Sequence, residues 1–207
     1  MRSISIMLGG ITLLLPQLSF AHLVTTRLGE FYSGLAHPIT SLEHLLPWLA
    51  LGLLAGIQQR NTSRSVLLWF PFTVATGAIL GGWLPGPTWI QTLNLFFLCN
   101  LGLLVLLALR LKQAVFVLLA VVFGFTQGFA NGVNTLQGSD LLLYVCGVTS
   151  AAYILMALVT AVAFCTYRRS AWGPIALRAV GSWMLAIGMM YGGFLLFAPG
   201  YALTGSN

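Results

Sequence analysis

Charge is scarce in this sequence, and acidic charge is scarcer still. Only 6% of the 207 residues are Asp, Glu, Lys or Arg, and three are acidic. A soluble domain of average composition carries about a quarter charged residues, so an ordinary water-facing surface is excluded. Cysteine is almost as rare. Cys99, Cys146 and Cys165 stand apart inside apolar runs with no CxxC pair, which excludes a disulfide framework. They read as small buried hydrophobes, with Cys146 alone falling near the outer face, where a thiolate ligand is conceivable. No P-loop glycine pattern ending in Lys-Ser/Thr occurs, so the chain carries no ATPase motif of its own.

What the chain has is hydrophobic length. Of its residues 58% are hydrophobic, and several runs exceed the about 18 residues that suggest a membrane span. The short alternating segments of an outer-membrane barrel are missing. The expected fold is all-α, a polytopic transmembrane helical bundle. Residues 1–21 read as a secretory signal: Arg2 makes the positive start, Ile4 to Leu15 a short apolar core, Pro16 a break, and Ser19 and Ala21 the small residues before a cleavage site. Cleavage after Ala21 leaves residues 22–207 as one transmembrane domain with His22 at its amino terminus. There a free α-amine and an imidazole can chelate a metal together. The alternative is an uncleaved first helix with His22 on a wet loop.

Six spans are expected after the signal, over residues 39–57, 66–84, 91–109, 113–131, 141–166 and 176–197. The net charge of +6 does not point to nucleic acid, because the basic residues sit in short loops between apolar runs. Arg60 and Arg64, Arg110 and Lys112, and Arg168, Arg169 and Arg178 fall on one side, against Arg27 alone on the other. The positive-inside rule makes the first side cytoplasmic and puts both mature termini outside, as in a bacterial inner-membrane protein. Trp83, Trp89 and Tyr144 then fall at the outer interface and Trp69, Tyr167 and Trp172 at the inner one, as aromatic belts do. Glycines spaced by four (Gly52/Gly56, Gly77/Gly81, Gly124/Gly128/Gly132, Gly188/Gly192) suit close helix packing in lipid.

Against this background the stretch from His37 to His44 stands out. It holds two of the three histidines and the acid Glu43 at the mouth of the first span. Ionisable groups within a span are costly and mark functional sites by default. In one regular helix His37 and His44 would share a face but stand about 10 Å apart along the axis, too far to share one ion through bonds of about 2.0–2.1 Å. Either the first turn is bent, or the two histidines hand an ion along. Glu43 is a ligand or a partner that orients an imidazole. Pro38 suits the first turn of the span, with His37 just outside it, and Pro47 frees the carbonyl of Glu43 four residues back. At the end of the fourth span Gln127 and Asn131, four residues apart, share a face. They complete a polar pocket with the first span, or they serve interhelical hydrogen bonds. The polar chemistry gathers at one mouth, which suits capture of a cation from outside. An intramembrane zinc hydrolase would need three ligands and an open position, and the histidines are too few, so the chain reads as no enzyme.

These two segments resemble the HupE/UreJ family of nickel and cobalt permeases. The family's first-span signature, a His-Pro followed by an Asp-His pair, reads here His37-Pro38 and Glu43-His44, with Glu in place of Asp. Gln127-Gly128-Phe129-Ala130-Asn131-Gly132 is similar to the family's fourth-span HGxAHG motif, with both histidines replaced. The resemblance implies uptake of Ni²⁺, or next Co²⁺, as cargo with no resident cofactor, through His37, Glu43 and His44. It also implies an alternative accessory role beside a hydrogenase or urease maturation system. Replacement of the two imidazoles implies weaker nickel binding or a changed ion preference.

Overall fold

Ser41 decides the architecture of the first membrane segment. The structure is a computed structural model that describes residues 28–84, 86 and 89–197; residues 1–21, read above as a signal, His22 and Arg27 lie outside the described residues. Helix α1, Leu28–Thr40, ends where Thr40 turns its hydroxyl back to the carbonyls of Ala36 and His37. Hydroxyls that compete for local carbonyls weaken helix continuation. Ser41 follows in an extended conformation (φ −95°, ψ 108°), and α2, Leu42–Ile57, starts afresh. The two axes are bent by 74°. The span expected over residues 39–57 is α2, and the helix that precedes it, α1, was not expected from the sequence. Pro38 lies in the last turn of α1 rather than the first turn of the span, and His37 is inside a helix rather than outside one.

Five further helices follow among the described residues: α3 (Arg60–Trp83), α4 (Ile90–Leu106), α5 (Gln113–Ala130), α6 (Gly138–Arg169) and α7 (Gly173–Phe197). α3, α5, α6 and most of α7 are each long and apolar enough to cross a bilayer, and the broken α1–α2 pair passes the same test as a unit. At 17 residues α4 sits at the short end of the spanning range of about 17–25. Six spans are reached by counting both the broken pair and α4. The protein is an all-α, multi-pass membrane protein. α6, with 32 residues, is about 48 Å long and overshoots a hydrocarbon core of about 30 Å.

α2 is the central post. Trp48, Ala50, Leu51, Leu54, Ala55 and Ile57 are at most 1% exposed, enclosed by α3, α4, α5 and α6. In lipid, helices gain little from burying apolar surface against one another and rely on close backbone approach. Glycine supplies it here, in reciprocal pairs. A Cβ on Gly77 or Gly81 of α3 would meet the carbonyls of Phe125 or Phe129 on α5, and one on Gly128 would meet that of Val74 on α3. Gly102 and Gly181 do the same between α4 and α7, and Gly34 and Gly147 between α1 and α6. Gly52 and Gly56 bring α2 against Val159 and Ala163 of α6.

The other end of α2 is pinned by one amide. Buried Gln58 donates to the Leu109 carbonyl at 2.9 Å and accepts from the Leu111 amide at 2.9 Å, which ties the loop between α4 and α5 to the end of α2. Arg178 of α7 donates to the Leu106 carbonyl at 2.9 Å, so the basic loops form one end of the bundle. Trp69, Trp83, Trp89 and Trp172 are exposed, as interfacial belts require. Tyr144 is not. It is 3% exposed because α1 lies across α6 and covers it, with its ring 6.4 Å from that of His37.

Candidate functional site

The break at Ser41 folds the two histidines toward each other. His37, in the last turn of α1, and His44, in the first turn of α2, have ring centres 5.6 Å apart. Two imidazoles that share one ion through bonds of about 2.0–2.1 Å need ring centres within roughly 6 Å. Of the two sequence alternatives, the bent first turn is the one found. His44 Nε2 stands 3.8 Å from Glu43 Oε1. That gap is too long for a hydrogen bond, yet shorter than two metal–ligand bonds end to end, about 4.1 Å. Glu43 is exposed and His44 buried, so the carboxylate faces the mouth and the imidazole the interior. Among the described residues no three His, Cys, Asp or Glu side chains converge closely enough to enclose an ion. Charged and imidazole donors come in pairs, and any further donors must be neutral.

Those neutral donors are present. Gln127 of α5 and Asn131, which caps its end, are buried, and the first touches the histidine directly. Gln127 Oε1 accepts from Trp48 Nε1–H at 2.9 Å and lies 3.2 Å from His44 Nδ1. An indole nitrogen can only donate, so Trp48 fixes which end of the Gln127 amide faces α2. The same oxygen can then only accept from His44, which places the proton on Nδ1. In the neutral ring the lone pair is left on Nε2, the nitrogen that faces Glu43. This is the arrangement in which a carbonyl behind a metal-binding histidine sets its tautomer and orientation. Gln127 Nε2 pays with a buried N–H₂ that has no partner. Asn131 donates to the Gln127 backbone carbonyl at 2.8 Å and keeps an unpartnered Oδ1.

A cavity of about 210 Å³ opens beside these groups, lined by Glu43, His44, Pro47, Gln91, Asn94 and Asn134 among others. Asn94 of α4 was not singled out from the sequence. It is 7% exposed, faces the cavity and leaves its Oδ1 without a partner. The signal that could have found it is an amide in the second turn of a mostly apolar helix, three residues after Gln91, which lines the same cavity. Beneath the cavity the core is aromatic: Trp48 meets Phe70 edge-on at 5.5 Å, Phe70 stacks on Phe123 at 5.7 Å, and Phe97 closes on Phe123 at 5.2 Å. Cys146, expected near the outer face, is exposed on α6 and does not line the cavity.

The same segments decide the relationship. A family model described as HupE / UreJ protein matches residues 11–191, which span both the His37–His44 stretch and the Gln127–Gly132 stretch. The chain belongs to the HupE/UreJ family. It is 25% identical over 169 residues to Protein HupE of Rhizobium leguminosarum bv. viciae, an alignment that covers 82% of this chain and 87% of that protein. No solved structure matches the chain. In this HupE/UreJ chain, then, the cavity carries one carboxylate, Glu43, one imidazole, His44, and the amides of Gln91, Asn94 and Asn134. His37 faces His44 and Gln127 backs it, but neither of them nor Asn131 lines the cavity. Imidazole, carboxylate and amide oxygen are donors that suit a borderline divalent cation.

Proposed function

We propose that the protein is a permease for a divalent transition-metal ion, nickel first and cobalt next, which it takes up from the extracytoplasmic side. The observation that carries this reading is the broken α1–α2 pair, which brings His37 within 5.6 Å of His44, the imidazole that lines the cavity beside Glu43. Glu43 attracts the cation at the mouth. His44 receives it on Nε2, and His37 shares it from the facing helix. Membership of the HupE/UreJ family supports the same reading. His22, if freed by signal cleavage, adds a capture point ahead of the cavity. With few strong ligands the hold is loose, as passage requires: binding must be weak enough to release.

The test is accumulation of labelled nickel in cells that lack their own nickel uptake. Glu43→Ala and His44→Ala should each lower it about tenfold or more, the scale of loss when ligation is disturbed, with membrane expression unchanged. Normal uptake by both variants would sink the site assignment. One observation favours a second reading, a metal-binding accessory protein beside a hydrogenase or urease maturation system. The buried rings of Trp48, Phe70, Phe97 and Phe123 pack against one another in the core between α2, α3, α4 and α5. Calorimetric binding of nickel by the purified protein, with no accumulation in cells, would select that reading.

A further inference from the structure

The far end of the molecule has the opposite problem, cations without anions. The chain's three acids, Glu30, Glu43 and Asp140, all belong to the histidine end. Along α6 alone, Asp140 and Arg168 are separated by about 42 Å. No acidic side chain of the protein can therefore reach Arg60 or Arg64. These two arginines line a groove between α3 and α6 whose walls are Leu67, Ala157, Ala161 and Phe164. Arg168 stands over the Phe164 ring at 4.6 Å and adds a third cation at the rim.

The local helix makes the imbalance worse. α3 begins at Arg60, so both arginines lie in its first two turns, with no acid in the first turn and no side-chain cap. Positive charge is disfavoured at a helix N-terminus, where unpaired N–H groups already present a partial positive charge. An anion placed there would be held by backbone N–H groups and two guanidinium forks together. The hydroxyls of Ser63 and Thr160, which also line the groove, are committed inward to the carbonyls of Ala55 and Gly52. They offer no competing donors.

We infer that this groove is a binding site for one anionic phospholipid, its phosphate between Arg60 and Arg64 and an acyl chain along Leu67, Ala161 and Phe164. A free phosphate would satisfy the arginines but leave the apolar wall uncovered. The positive-inside rule puts this end in the cytoplasmic leaflet, and basic pockets between spans on that side suit anionic headgroups.

Native mass spectrometry of the full-length protein, titrated with phosphatidylglycerol or phosphatidylcholine, tests the assignment without any metal. The wild-type protein should retain one phosphatidylglycerol through activation that strips phosphatidylcholine. Arg60→Gln/Arg64→Gln should weaken that retention roughly tenfold or more, whereas Arg110→Gln/Lys112→Gln, which removes the same charge outside the groove, should not. Ala161→Trp keeps every arginine and fills an exposed part of the apolar wall, and it too should lose the lipid. Equal loss from the two double variants would reduce the site to diffuse surface charge and overturn it. Displacement of the lipid by millimolar inorganic phosphate would likewise overturn the choice of a lipid. Nickel uptake is not read, so failure here leaves the transport proposal standing.

Discussion

A tryptophan can donate one hydrogen bond and accept none, and at the candidate site that restriction passes through two neighbours. Trp48 fixes the Gln127 amide, and the amide fixes the His44 tautomer. Trp48→Phe keeps the ring that packs on Phe70 but removes the donor. Gln127 is then free to turn its N–H₂ toward Nδ1, and the proton moves to Nε2, where a cation must compete with it. The expected result is a changed His44 tautomer in ¹⁵N spectra and nickel affinity lowered roughly tenfold. An unchanged tautomer with unchanged affinity would remove Gln127 as a positioning residue. His37, Glu43, His44, Gln127 and Asn131 were legible in the sequence because polar groups in an apolar run announce themselves. Asn94, an amide of the same kind, was not, because Gln91 and Asn100 share its helix and nothing in the sequence says which of the three faces inward. Trp48 was not legible either. A tryptophan among leucines reads as core, and only the fold reveals that its N–H meets an amide 79 positions away.

For the helices as elements, glycine spacing was a good guide and helix continuity a poor one. Gly77 and Gly81 were expected to serve close packing, and their positions against α5 carbonyls leave no room for a methyl group. Gly77→Ala should therefore force α3 and α5 apart, at a cost of about 1–3 kcal/mol. Gly193→Ala, where no described atom lies within 4 Å of the added carbon, should be neutral or slightly stabilising, since alanine favours the helix by up to about 1 kcal/mol. Thermal unfolding in detergent measures both, and equal effects from the two would argue against glycine-mediated contact between α3 and α5. The break at Ser41 was harder to foresee. The stretch from His37 to His44 is mostly polar and lies at the start of the expected span, so hydropathy could mark a span boundary there but not a second helix before it; that lay in the local chemistry of Pro38, Thr40 and Ser41. That same break turns a separation of about 10 Å along a helix into a facing pair of rings.

Over the whole molecule, charge and chemistry are sorted to opposite ends. The groups that suit a cation sit at the Ser41 break and the end of α5. Arg60, Arg64, Arg110, Lys112, Arg168, Arg169 and Arg178 sit where α2 meets α3, α4 meets α5 and α6 meets α7. Gln58 and Arg178 tie those basic junctions into one surface. The all-helical class and this asymmetry were both readable from loops and runs, because bilayer thickness and the positive-inside rule act on sequence directly. If the basic surface is cytoplasmic, the membrane potential draws a divalent ion inward from the histidine end with about 4.6 kcal/mol per 100 mV. Alkaline phosphatase, active only outside the cytoplasm, should therefore be active when fused after Asn207 and inactive when fused after Arg110. A fluorescent protein that matures only in the cytoplasm should give the reverse pattern. With both patterns inverted, Glu43 and His44 would face the cytoplasm, a cation bound there would have to cross outward against the potential, and uptake from outside through this site would be refuted.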